Sequence, residues 1–162
     1  MLRFRDAAVT APDAQGLLGD YFAERAAGFP PEQGAYRPTW PDAAQFTPPA
    51  GLFVVIEDES GTAVGCGGIR RIDPSTDGLV RYEVKHLWLA PPARGRGGGR
   101  RLLEELEARA IGFGAQELVL DTNASLSAAG GLYASSGYEP IEPYNDNPNA
   151  TNWYGKLVRP RP

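Results

Sequence analysis

Between residues 90 and 110 the chain reads APPARGRGGGRRLLEELEARA, a tract of glycine and arginine that runs directly into leucines at helical spacing. A turn that opens a helix aims several unpaired backbone N–H groups and the positive end of the helix dipole at one point, and such a point binds phosphate. Glycine permits close backbone approach, while Arg94, Arg96, Arg100 and Arg101 add charges that can pair with phosphate oxygens. Two familiar nucleotide motifs do not fit. No Gly-Lys-Ser/Thr follows, as a P-loop requires, and Gly95-x-Gly97-x-x-Arg100 lacks the third glycine of a dinucleotide turn. Glycine-arginine segments that touch RNA are repeated and disordered, whereas this one is single and joined to a helix. A plain glycine-rich loop stays open as a reading at this point.

Few other residues could do chemistry. Cys66, inside Val64-Gly-Cys-Gly67, reads as a small buried residue of a strand rather than an acyl carrier. His86 has no partner visible in the sequence and reads as structural. It faces away from Glu83 only if the strand that carries both has no bulge.

The elements that must position these residues follow from pattern and punctuation. Residues 2–5 can form a first strand. Thr10-Ala-Pro-Asp13 then supplies a cap, an early proline and an acid for a helix over 14–27, with Leu17, Leu18, Tyr21, Phe22 and Arg25 at mixed i+3/i+4 spacing. Residues 29–50 are proline-dense and irregular, with a short helix near 42–46, and carry Tyr36, Trp40 and Phe46. Two apolar runs, 51–57 and 62–73, flank Asp58-Glu-Ser-Gly61 as a hairpin. A third strand spans 79–89. The pattern then predicts an amphipathic helix over 100–112, a strand over 117–122, a helix over 125–136, and strands over 138–141 and 152–158. The terminal Arg159-Pro-Arg-Pro162 is expected to fray. This order suits a mixed α+β layer architecture.

Composition sets outer limits. The chain has 162 residues, 42% of them hydrophobic and 22% charged, which suits one compact domain over 1–162. Its net charge of −4 gives no global field to draw nucleic acid. No apolar run reaches the length of a membrane span and the N-terminus lacks a signal-peptide core, so a cytoplasmic protein with no membrane partner is expected. One cysteine and one histidine exclude an internal disulfide and familiar zinc spacings.

Arg94-Gly95-Arg96-Gly97-Gly98-Gly99 resembles the Arg/Gln-x-x-Gly-x-Gly/Ala signature of the GNAT superfamily of acyl-CoA-dependent N-acetyltransferases. The likeness extends from about residue 53 to 157, with EVKHLWLAPPARGRG before the motif and LYASSGYEPI after it. It implies a GNAT fold: a twisted, mostly antiparallel sheet of six to seven strands with helices on both faces, splayed between the strands at 79–89 and 117–122. Acetyl-CoA would lie in the splay, with its pyrophosphate on Arg94, Gly95, Arg96, Gly97, Gly98, Gly99 and Arg100. Its pantetheine would pair with the backbone at Leu87, Trp88 and Leu89. One departure is Gly98, where family members carry a bulky apolar residue; it is expected to loosen the first helical turn by about 0.5–1 kcal/mol relative to alanine.

Acetyl transfer from a thioester to an amine needs a neutral amine, a polarised carbonyl and a protonated leaving thiolate. The resemblance offers Glu83 as the base, eleven residues before Arg94, with Asp121 across the splay as the alternative; an exposed strand glutamate is the plain reading of Glu83. Tyr133 matches the family tyrosine whose hydroxyl points at the CoA sulfur. An asparagine often precedes that tyrosine by seven residues. Leu126 stands there instead, and Asn123 is a candidate substitute for binding pantetheine.

EPYNDNPNATNWYGKLV, 142–158, also resembles the ending of a bacterial GNAT subgroup. Its asparagines favour a turn that could project Asp146 toward a cationic amine, with Tyr36 and Trp40 on the acceptor rim. The expected partner is a small-molecule amine or a peptide, no metal is expected, and the protein would be a monomer or homodimer. The alternative is a GNAT-like module that binds acyl-CoA without turnover. O-acyl transfer or a longer acyl donor would depend on pocket volume.

Overall fold

A computed structural model describes residues 1–159. Of the tail expected to fray, Pro160 to Pro162 lie outside the described residues. The elements run β1 (Arg3–Asp6), α1 (Pro12–Ala27), β2 (Gly51–Glu57), β3 (Ala63–Ile72), β4 (Arg81–Leu89), α2 (Gly98–Gly112), β5 (Glu117–Thr122), α3 (Ser127–Ser135), β6 (Glu139–Pro140) and β7 (Asn152–Leu157). The seven strands form one sheet in the order β1-β2-β3-β4-β5-β7-β6. Every pairing is antiparallel except that of β4 with β5.

β2 is apolar at nearly every position because it is buried on both faces. Leu52, Val54 and Ile56 meet one core, to which α2 contributes Leu102, Leu103, Leu106 and Ala110. Phe53 and Val55 point the other way, into a core shared with Leu17, Leu18 and Phe22 of α1. The turn after β2 is built on Asp58, whose Oδ1 accepts from the amides of Ser60 and Thr62 at 2.9 and 3.0 Å. The hairpin is therefore where its turn residues put it.

Several boundaries differ from the sequence pattern for identifiable reasons. Thr10 does not cap α1: Ala11 is the N-cap with no side-chain bond, and Pro12 opens the helix. Asp13 instead accepts from the Ala14 amide and pairs with Arg5. The short helix near 42–46 is a 3₁₀ turn, Ala43–Phe46, capped by Asp42. α2 begins two residues earlier than expected. Gly97, at φ 76°, turns the chain into the helix, and Gly98 follows as its buried first residue. The room that a bulky side chain would take at Gly98 is filled by Leu2 and Leu89. β6 is only two residues long: Pro140 has no N–H to donate, and beyond it the ladder with β7 is reduced to the Ile141 amide on the Trp153 carbonyl.

β4 is bulged. Cys66 pairs with Trp88 but Gly68 pairs with Lys85, so His86 and Leu87 together face Gly67. His86 takes φ 58°, the left-handed conformation that such a bulge uses. The bulge turns His86 onto the Glu83 face, where its ring meets Tyr21, Phe22 and Phe46 at centroid distances of 5.7–5.8 Å. Burial, helped by the charges of Lys85 and Arg70 against that of Asp121, pushes its pKa down to about 3. It is neutral at physiological pH.

Two outcomes are expected from this packing. A Cβ at Gly51 would collide with the carbonyl oxygens of Ile69 and Gln45, which are backbone and cannot swing away. Gly51→Ala should therefore lower the urea midpoint by an amount equivalent to about 1–3 kcal/mol. His86 is the chain's only histidine. Because its folded pKa lies below its unfolded value, the unfolded chain binds the extra proton, and stability that is complete above pH 6.5 is lost as pH falls toward 3. The slope approaches about 1.4 kcal/mol per pH unit. His86→Asn, which tolerates positive φ, should flatten that slope between pH 6.5 and 5 in urea melts; an unchanged slope would remove the assignment.

Candidate active site

β4 and β5 pair over only three rungs, Arg81 with Glu117, Tyr82 with Leu118 and Glu83 with Val119. Beyond them the strands separate, and the side of β4 that faces β5 is left without a ladder. A side-chain pair bridges the start of the fork: Lys85 Nζ lies 3.2 Å from Asp121 Oδ1. Continued two residues past its last rung, the same register would bring these residues opposite each other.

A cavity of about 520 Å³ opens above the fork, lined among others by Tyr21, Phe22 and Arg25 of α1, Lys85, His86 and Leu87 of β4, Asp121 of β5 and Tyr133 of α3. Tyr36, Trp40 and Phe46 from the irregular segment form a further wall, and Asn145, Asn147 and Asn149 close one side. Asn149 clasps the segment opposite: its Oδ1 accepts from the Arg37 amide at 3.0 Å and its Nδ2 donates to the Arg37 carbonyl at 2.7 Å.

Asp121 is the buried carboxylate of the cavity wall, its side chain 6% exposed, whereas Asp42 is exposed at the rim. Burial raises its pKa, but Lys85 and hydrogen bonds from Asn145 and Asn147 outweigh that and leave it below the ordinary aspartate value. It stays ionised. Tyr133, opposite, is pushed up to about 12 by burial, with a downward pull from Arg25 and an upward one from Asp121. Its hydroxyl keeps its proton at neutral pH, so the cavity lining includes a phenol that can donate.

Glu83 does not line this cavity. It is 1% exposed, and its Oε1 accepts from Arg70 Nε at 2.9 Å while its Oε2 accepts from the Tyr144 hydroxyl at 2.6 Å. Arg70 is its cross-strand partner in the β3–β4 register. Burial and the Glu83 charge raise the Tyr144 pKa, so that hydroxyl holds its proton. Asn123 is also buried and occupied: its Nδ2 donates to Gln33 Oε1 at 2.7 Å and the Asn149 carbonyl at 3.1 Å, and its Oδ1 accepts from the Ser125 amide. It ties three loops together. Asp146 is exposed and lies between two cavity-lining asparagines rather than in the wall. Asn145 Oδ1 accepts from the Asn147 amide and Asn147 Oδ1 from that of Asn149, so the asparagines do make the turns their type favours.

The glycine tract lies at the far end of β4. Gly95 and Gly97 take φ 82° and 76°, and a Cβ on either would enter open space. The first helical bond runs from the Arg101 amide to the Gly97 carbonyl, so the amides of Gly98, Gly99 and Arg100 have no intrahelical acceptor. Arg94 points back rather than out: its Nε donates to the Leu89 carbonyl at 2.9 Å and its guanidinium pairs with Glu24 of α1 at 2.7 Å. Arg100 reaches the hydroxyls of Ser135 and Ser136 at the end of α3. Arg96 is exposed. Trp88 and Leu89 are buried, so at these positions only the backbone could meet a ligand.

Sequence reasoning missed Arg70, Lys85 and Tyr144 as parts of this centre and noted Arg25 only as a helix residue. The signals were present in two cases. Arg25 is four residues from Tyr21 on one helix face, and hairpin register alone would have set Arg70 against Glu83. Among the described residues no helix is long and apolar enough to cross a membrane, and no cluster of three or more His, Cys, Asp or Glu could hold a metal.

Residues 17–138 match the model of the acetyltransferase (GNAT) family. The chain is 36% identical to an uncharacterised N-acetyltransferase of Schizosaccharomyces pombe over 113 residues, 70% of this chain and 67% of that protein. It is 32% identical to the N-alpha-acetyltransferase RimI of Mycobacterium tuberculosis over 82% of each chain. Among solved structures, an acyl-CoA N-acyltransferase-like protein of Klebsiella pneumoniae superposes with a TM-score of 0.74 at 28% identity, covering 97% of both chains. With the mostly antiparallel seven-stranded sheet, the fork between β4 and β5 and the glycine turn at its end, these matches make the chain a member of the GNAT acetyltransferase family, whose reaction is acetyl transfer from acetyl-CoA.

Proposed function

We propose that the protein is an N-acetyltransferase that moves the acetyl group of acetyl-CoA to a primary amine by direct attack. One observation carries this reading: an ionised carboxylate, Asp121, and a protonated phenol, Tyr133, line the same cavity at the fork. A module that only bound acyl-CoA would have no use for that pair.

The residues present fit the cosubstrate. The free amides at the start of α2 and the guanidinium of Arg96 would hold the pyrophosphate, and the unladdered side of β4 near Leu87 to Leu89 would hold the pantetheine. Bound there, acetyl-CoA supplies a polarisable thioester carbonyl and a thiolate leaving group. A β4 amide beyond the fork would donate to the carbonyl oxygen, where negative charge develops. Tyr133 would donate its hydroxyl proton toward the leaving sulfur. Asp121 would orient the incoming amine and stabilise the positive charge that grows on nitrogen as the C–N bond forms. A carboxylate held so low is a weak base, so proton removal would finish through water. Glu83 would act through Arg70 and Tyr144, holding the cavity floor in place rather than meeting the amine.

Calorimetric titration with acetyl-CoA, with desulfo-CoA and ATP as controls, tests the binding, and thiol release over a panel of amines tests the turnover. Acetyl-CoA binding with thiol release on an amine is the expected result; binding without release on any amine would favour the non-catalytic module. Tyr133→Phe should lower kcat by about 10–100-fold with acetyl-CoA affinity nearly unchanged. Gly97→Val, forced into positive φ at the cradle, should abolish acetyl-CoA binding. Full turnover in the first or intact binding in the second would remove the assigned role.

A further inference from the structure

The cations around the cavity are paired with carboxylates, with one exception among the described residues. Lys85 is matched by Asp121 at 3.2 Å. Arg70 is matched by Glu83 at 2.8 Å and also donates to Gln45 Oε1 at 2.7 Å. Asp42, exposed at the rim, accepts from the Ala44 amide at 2.9 Å as the cap of its 3₁₀ turn. Arg25 is left over. Its Nε is buried and makes no hydrogen bond, and among the described residues no carboxylate pairs with it. The neighbouring acid, Glu24, is held by Arg94. The guanidinium lies over the Tyr36 ring, 5.4 Å from its centroid.

A guanidinium has five donors and no acceptor, and one half-buried beside a ligand cavity with a donor unused is matched to an anion. Its position is informative as well. The charges of Arg25 and Asp121 both act on the Tyr133 hydroxyl, with opposite sign. A cation and an anion therefore stand around the point where sulfur and amine would meet. Around them Tyr21, Phe22, Tyr36 and Trp40 give an apolar wall, with Trp40 edge-on to Phe22 at 5.0 Å.

Building on the acetyltransferase reading above, we infer that the acceptor is a free amino acid with a large apolar or aromatic side chain, its amine directed to Asp121 and its carboxylate held by Arg25. A polyamine would bring a second positive charge against Arg25. A peptide N-terminus would offer no carboxylate beside its amine. An amino acid matches the unpaired Arg25 with its carboxylate while its amine takes a place beside Asp121, and its side chain covers the aromatic wall.

The test uses L-phenylalanine, L-tryptophan, L-methionine and L-leucine, each beside its carboxamide and its decarboxylated amine, with spermidine as a polycation. Thiol release gives kcat/KM for each, and calorimetry into the enzyme–CoA complex gives the affinity of each. The carboxylate form of at least one set should exceed its amide by about 10–100-fold, the worth of one charge-assisted contact. Arg25→Gln should bring that ratio near one, chiefly through KM, and Arg25→Lys should restore part of it. Acetyl-CoA titration of both variants checks that they fold. Equal use and equal binding of acid, amide and amine would overturn the inference, as would a carboxylate preference that survives Arg25→Gln. Failure of the unaltered protein to bind acetyl-CoA would instead overturn the reading on which it rests.

Discussion

The brevity of the parallel contact between β4 and β5 governs the rest of the molecule. Three rungs hold the strands together, and two residues beyond the last of them side chains replace backbone: Lys85 and Asp121 close the gap as an ion pair. A longer ladder would consume the β4 backbone groups that a ligand needs and leave no cavity between the strands. The bulge at His86 works in the same direction, since an extra residue there breaks the alternation of β4 and strengthens its local twist just as the strands part. A buried ion pair adds little net stability. Its effect here is to fix the charge state at the fork, because Lys85 helps keep Asp121 ionised against the cost of burial.

The fork requires a thin, tightly layered sheet beside it, and β3 supplies one by omitting side chains. A Cβ at Gly67 would press on Leu102 and Leu106 of α2, and one at Gly68 would press on Phe46 and Phe53. Small residues in the run Gly65 to Gly68 thus let α2 close on one face and the aromatic segment on the other. Cys66 belongs to that design: it is fully buried, and burial pushes its thiol up to about 12, so it is packing material rather than a nucleophile. Glu107 performs a related task at the other edge, where it accepts from the Tyr138 hydroxyl and Lys156 Nζ at 3.0 Å each and anchors α2 to β7.

What the sequence disclosed follows the range of the interactions involved. Turn chemistry and periodicity are local, so the hairpin at Asp58, both long helices and the strand over 117–122 are readable from a few neighbours. The glycine turn is readable too, because phosphate binding at a helix start uses the backbone of one contiguous stretch. The bulge is not, since it exists only against Gly67 of the neighbouring strand. The surroundings of Glu83 were hidden for the same reason: spacing along β4 says nothing of Tyr144, sixty-one residues away, whose hydroxyl occupies its second oxygen. Asn123 misleads by its type. An exposed asparagine can meet a ligand, whereas this one is spent on Gln33, Ser125 and Asn149, partners distributed over three separate segments.

Net charge is a similarly coarse guide to a site. A chain with four excess negative charges suggests a cationic substrate, yet most of those acids lie on the surface, where water and salt screen them within about 10 Å. Inside the cavity the count is made by the few groups that face it. Two cations there are already neutralised, one of them by a glutamate too deep to be felt as free charge, and Arg25 is not. A low-dielectric pocket magnifies one unmatched charge above the screened sum of the exterior. On the proposed reading, the chemistry of the acceptor would follow from Arg25, Asp121 and the aromatic side chains that line the same cavity, and the acidity of the chain as a whole would have little part in it.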